Sequence, residues 1–69
     1  MGTIQVEIIP ENRRVKVEVS GKIRVLDLIH RLGFSTESVV IVKDEELLTE
    51  DEFLLEGEEV KAYLASSGG

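Results

Sequence analysis

Ile4-Gln5-Val6-Glu7-Ile8-Ile9-Pro10-Glu11-Asn12-Arg13-Arg14-Val15-Lys16-Val17-Glu18-Val19 folds back on itself by its own pattern. Ile4, Val6 and Ile8 alternate with Thr3, Gln5 and Glu7, the period of two that belongs to a strand with one face in water. Pro10 has no N–H to give a β-ladder and stops that run. Pro10 to Arg13 reads as a turn, with Asn12 suited to its later position. Val15, Val17 and Val19 then alternate with Arg14, Lys16, Glu18 and Ser20. Two such runs, each offering three aliphatic side chains to one face, predict a hairpin. Its apolar face needs a cover.

The cover follows the break at Ser20-Gly21-Lys22. Val25, Leu28, Ile29 and Leu32 have the i, i+3, i+4, i+7 spacing of an amphipathic helix. Asp27 and Arg31 stand four apart on its outer side and predict a favourable pair. Gly33 supplies a left-handed exit, with Phe34 folding back over the last turn. The helix start has Ile23 and Arg24 where a Ser, Thr or Asp cap would stand, so tertiary packing must define that end.

Ser35 to Ser38 form a loop. Val39-Val40-Ile41-Val42, apolar on both faces, predicts a central strand or one whose outer face meets a partner. Lys43-Asp44-Glu45-Glu46 reads as a tight turn and Leu47-Leu48 as a very short returning strand. Residues 49–56 are expected to form a loop with one irregular helical turn, its Phe53, Leu54 and Leu55 plugging the edge of the core. Glu56-Gly57-Glu58 turns into a last strand, in which Val60, Ala62 and Leu64 alternate with Glu59, Lys61 and Tyr63. The sum is an α+β domain: a mixed four- to five-stranded sheet covered on one face by a single helix. The other face stays open. Whichever of Val40 and Val42, or Val39 and Ile41, points outward would make a docking surface there beside Tyr63, and we assign it Val40, Val42, Lys61 and Tyr63.

Composition narrows the function classes. Sixty-nine residues make one small core. No cysteine is present, which removes a disulfide scaffold, a cysteine metal site and a thiol nucleophile. His30, the one histidine, has no acid or nucleophile placed to use it and reads as a surface residue, so no metal is expected. No nucleophile–base pair, convergent acid cluster or phosphate-binding glycine loop occurs, so the chain is not expected to be an enzyme. No apolar run reaches membrane-span length and no signal peptide is recognisable, so a cytoplasmic location is expected. The net charge is -6. Residues 1–34 carry six basic and four acidic groups, residues 35–69 two basic and ten acidic. The acidic half argues against direct nucleic-acid binding and permits steering towards a basic partner.

The sequence ends in Ser66-Ser67-Gly68-Gly69. Without a β-carbon, Gly68 and Gly69 reach backbone angles closed to other residues and pass narrow channels. One reading is a flexible tail, residues 66–69, that delivers a carboxylate into another protein's site from a domain spanning residues 1–65. The other is a frayed end without function.

The whole chain resembles the β-grasp, ubiquitin-like family, above all its MoaD/ThiS-type sulfur carriers and archaeal small modifier proteins. The resemblance rests on the hairpin from Ile4 to Val19, the helix Val25 to Gly33, the segment Val39 to Leu48 leading into Glu50-Asp51, and Leu55-Glu56-Gly57-Glu58-Glu59-Val60 running to Gly68-Gly69. It implies that an E1-like partner binds ATP and Mg and adenylates the Gly69 carboxylate. A sulfur donor then makes a thiocarboxylate, or a target-protein lysine takes the acyl group. Gly68 would let the tail thread the adenylation site, and Ser66 and Ser67 would serve as a hydrated spacer. The protein would bind no cofactor itself and would be a monomer when free. Members serve tRNA thiolation, molybdopterin and other cofactor synthesis, or lysine conjugation through an isopeptide bond. Many carriers have an Asn-Gly or Asp-Gly turn where this chain has Lys43-Asp44-Glu45-Glu46, and the molybdopterin type tends to carry proline before its Gly-Gly, where this chain has Ala65-Ser66-Ser67. The alternative is a ubiquitin-like adaptor that binds partners without covalent chemistry, its tail incidental.

Overall fold

The computed structural model describes residues 2–65. The hairpin is present as β1 (Gly2–Ile9) and β2 (Arg13–Val19), in register from Gly2↔Val19 to Ile8↔Arg13. Asn12 closes the turn with a φ of 54°, in the left-handed region that Asn tolerates. The chain then forms β3 (Lys22–Arg24), α1 (Val25–Arg31), β4 (Val39–Lys43), β5 (Glu46–Leu48), β6 (Phe53–Leu55) and β7 (Glu59–Leu64).

Five strands make the main sheet in the order β2-β1-β7-β4-β5. β1 and β7 are parallel, with Gln5 opposite Glu59 and Ile9 opposite Tyr63. The other pairings are antiparallel. β7 therefore takes the middle position, hydrogen-bonded on both sides. Ile4, Val6 and Ile8 meet Val60, Ala62, Val39 and Ile41 under Val25, Leu28 and Ile29 of the helix, all buried. With Val17 and Val19 of β2 added, the core is the inward parity of four main-sheet strands closed by one helix face, with Ile23 and Leu54 at its edge. Burying a leucine-sized side chain contributes about 1.5–3 kcal/mol.

Packing defines the helix start. Val25 N donates to Glu52 O at 2.8 Å and Leu26 N to Glu50 O at 3.2 Å, while Arg24 makes no side-chain cap. Backbone carbonyls of the loop before β6 do what a Ser or Asp cap does elsewhere. The helix leaves through a Schellman motif. Phe34 N donates to Ile29 O and Gly33 N to His30 O, with Gly33 at φ +86°.

Three local expectations are corrected. Residues 49–56 hold a strand, β6, which pairs with β3 in a separate two-stranded sheet (Lys22↔Leu55, Ile23↔Leu54, Arg24↔Phe53). Only Leu54 of that trio plugs the core, because consecutive strand residues point to opposite faces and Phe53 and Leu55 are exposed. Arg31 does not reach Asp27: its Nη1 donates to the Glu18 carbonyl, a backbone acceptor on the edge strand β2.

Candidate docking face and tail anchor

The outward parity of the main sheet forms one continuous face. Val40 lies directly opposite Tyr63 and Val42 opposite Lys61 across the β4–β7 ladder. The four residues assigned from sequence are therefore two adjacent rungs. Val40 is 45% and Tyr63 38% exposed, Lys61 is exposed and Val42 half-buried. Each rung continues into its neighbours. Tyr63 is opposite Ile9 on β1. Lys61 is opposite Glu7, and Glu7 opposite Arg14, so charges alternate in sign across three strands.

Two apolar residues of this face escaped the sequence reading, Ile9 and Leu47. Leu47 pairs with Val42 and is 68% exposed. The cue was available: a two-residue turn at Asp44-Glu45 puts Lys43 opposite Glu46 and hence Val42 opposite Leu47. The face is apolar over β4, β5 and the Ile9–Tyr63 rung, and polar to charged over the rest of β1 and over β2. A hollow of about 440 Å³ opens between the halves, lined among others by Gln5, Glu7, Arg14, Val42, Lys61 and Tyr63. A face of this composition has aliphatic surface that a partner can bury and charges that can fix its orientation.

An ion pair steadies the turn that starts β7. Glu58 Oε2 accepts from Lys43 Nζ at 2.8 Å and Oε1 from Leu55 N at 3.0 Å. The ammonium and then the amide hold the Glu58 carboxyl below the usual glutamate value, and the same hydrogen bond raises Lys43 above the usual lysine value. At the far end of β7, Ala65 N donates to Ser38 O at 2.8 Å and ties the chain to the loop before β4. Ser66, Ser67, Gly68 and Gly69 lie outside the described residues. Among the described residues no three His, Cys, Asp or Glu side chains are grouped to hold a metal ion, and no helix is long and apolar enough to cross a membrane.

A single helix on a mixed sheet with parallel first and last strands is the arrangement of a ubiquitin-like β-grasp protein. Solved structures agree. The ubiquitin-like domain of Plasmodium falciparum Dsk2 superposes with a TM-score of 0.76 at 15% identity, over 93% of this chain and 97% of that one. A computationally designed protein based on human erythrocytic ubiquitin gives 0.71 at 18% identity, over 100% and 98%. No family model matches the sequence. Sulfur carrier protein TtuB of Thermus thermophilus is 38% identical over 56 residues, 81% of this chain and 86% of that protein. An uncharacterized protein of Archaeoglobus fulgidus is 39% identical over 59 residues, 86% and 85% of the two chains. The chain belongs to the TtuB-like family of sulfur-carrier proteins.

Proposed function

We propose that this protein is a ubiquitin-like carrier or modifier whose Gly69 carboxylate is adenylated by an E1-like enzyme. The similarity to a sulfur carrier over four-fifths of the chain carries this reading. The sheet gives it a physical route, because the assigned docking residues Tyr63 and Lys61 sit on the strand that leads towards residues 66–69. A partner that covers Val40, Val42, Lys61 and Tyr63 thereby receives the tail from the middle of the sheet. In this reading Ser66 and Ser67 serve as a hydrated spacer, and Gly68 offers no side chain to obstruct entry.

The chemistry needs no catalytic group on this chain. A free carboxylate is a poor acyl donor because its leaving group would be an oxide. In the partner's site the Gly69 carboxylate attacks the α-phosphorus of Mg-bound ATP, forming an acyl-adenylate and releasing pyrophosphate. A sulfide-level donor sulfur then displaces AMP and leaves a thiocarboxylate. If a lysine amine attacks instead, AMP leaves, the nitrogen loses a proton and an isopeptide bond remains. The partner supplies the metal, the electrostatics and the sulfur or amine nucleophile.

Intact mass spectrometry of the protein from its native cells tests the reading, with a search of protein digests for the tail on lysines. One oxygen-for-sulfur exchange at Gly69 identifies a carrier, and tail-bearing lysines identify a modifier. Neither signal under any growth condition, with removal of Gly68-Gly69 leaving cells unaffected, would return the protein to a non-covalent adaptor.

A further inference from the structure

The small β3–β6 sheet makes a second block of two rungs, unrelated to the open face. Ile23 and Leu54 point into the core. Their neighbours Lys22, Arg24, Phe53 and Leu55 form the outer surface, with Lys22 opposite Leu55 and Arg24 opposite Phe53. Phe53 is 48% and Leu55 55% exposed. Lys22 Nζ lies 4.6 Å from the centroid of the Phe53 ring and Arg24 Cζ 5.4 Å. The ring thus holds two cations in place by cation–π attraction without using up their N–H donors.

Among the described residues neither cation is in a salt bridge. The carboxylates that flank Phe53 and Leu55 in sequence are engaged with backbone: Glu52 Oε2 accepts from Thr49 N and Glu56 Oε2 from Gly21 N, both at 2.8 Å. Asp27, three residues after Arg24, forms no ion pair with it. On a molecule of net charge -6, two positioned cations on an apolar plate are complementary to carboxylates beside apolar side chains. We infer that the Lys22–Arg24–Phe53–Leu55 surface binds an acidic segment of a partner protein that carries an apolar side chain between its carboxylates. Glu56 N bonds Gly21 O and Gly57 N bonds Thr3 O, which ties this sheet to the Thr3 end of β1. Tyr63 lies at the Ile9 end, and at about 3.3 Å per residue the two ends are on the order of 20 Å apart. A second protein can therefore hold the carrier while the Tyr63 face and the tail are engaged. The assignment stands whether or not Gly69 is activated.

The test is a titration of the isotope-labelled full chain with a soluble peptide, Gly-Ser-Asp-Leu-Asp-Leu-Glu-Ser-Gly, followed by amide NMR shifts. Shifts centred on residues 22–24 and 53–55 are expected. They should weaken roughly tenfold in the double variant Lys22→Glu, Arg24→Glu, and vanish with the Asn/Gln version of the peptide. Unchanged amide positions in the rest of the variant's spectrum verify its fold. Absent shifts, shifts centred on Val40 and Tyr63, or equal binding by the double variant would overturn the assignment. So would movement of the same amides on diluting the chain alone, because the occupant would then be a second copy's acidic turn at Asp44-Glu45-Glu46.

Discussion

Three positions show what the backbone asks of its side chains. Asp44 and Glu45 have φ of 52° and 67°, both left-handed, between the paired residues Lys43 and Glu46. That is the primed two-residue hairpin turn, in which Glu costs about 1–2 kcal/mol more than Gly. Glu45→Gly should raise the unfolding free energy by about 1 kcal/mol, net of glycine's extra chain entropy. A urea titration checks it, and an unchanged or lower midpoint would refute the account. Gly2 has the opposite constraint. A β-carbon there would stand 2.6 Å from Glu56 Cβ, near the root of a side chain whose carboxylate holds Gly21 N. Gly2→Ala should cost about 1–3 kcal/mol, as overpacked sites do. The turn was legible as a turn in Lys43-Asp44-Glu45-Glu46. Its conformation was not, since neither residue announces a positive φ the way Asn-Gly would. Nothing local marks Gly2, whose constraint comes from a residue 54 positions later.

At the scale of elements, alternation revealed β1, β2 and β7 because polar and apolar residues take turns over most of each, failing at Ile8-Ile9 and Arg13-Arg14 at the hairpin end. β4 was legible as a strand but not in its facing, since Val39 to Val42 are equally apolar on both parities. Pairing with β7 sets it, by putting Val40 opposite Tyr63. β3 and β6 were invisible for a different reason: each has three residues and one inward side chain, too few for any period to show. The turn between β6 and β7 depends on Glu58. Its folded carboxyl titrates below the ordinary value of 4.5, so its contribution to stability is complete above that value. It is lost as pH falls through the lower folded value. At the basic limit, the raised Lys43 contributes below 10.5 and loses its share above it. Thermal midpoints measured across pH should therefore fall less steeply on the acid side in Glu58→Gln than in the parent. Parallel acid limbs would show that the pair is inert.

The molecule as a whole separates folding from function. The core lies between one helix and the inward side of the sheet, so the outward side is free to vary in chemistry without loss of fold. Tyr63→Ala or Leu47→Ser should leave the thermal midpoint within a few degrees of the parent, as exposed positions do. The same changes should weaken binding to the E1-like enzyme proposed above about tenfold or more if this face is the dock. Calorimetry with that enzyme separates the two effects, and undiminished affinity in both variants would remove the face from the interface. The parallel contact of β1 with β7 also sets a timetable. Gln5 meets Glu59 only after the intervening chain has been made, several seconds of synthesis at about 5–20 residues per second. Until then β1 has β2 as its strand partner, the core lacks Val60 and Ala62, and the sheet lacks its central strand. A chain interrupted before β7 lacks the strand that joins β1 to β4, so a completed sheet always includes the strand that leads towards residues 66–69.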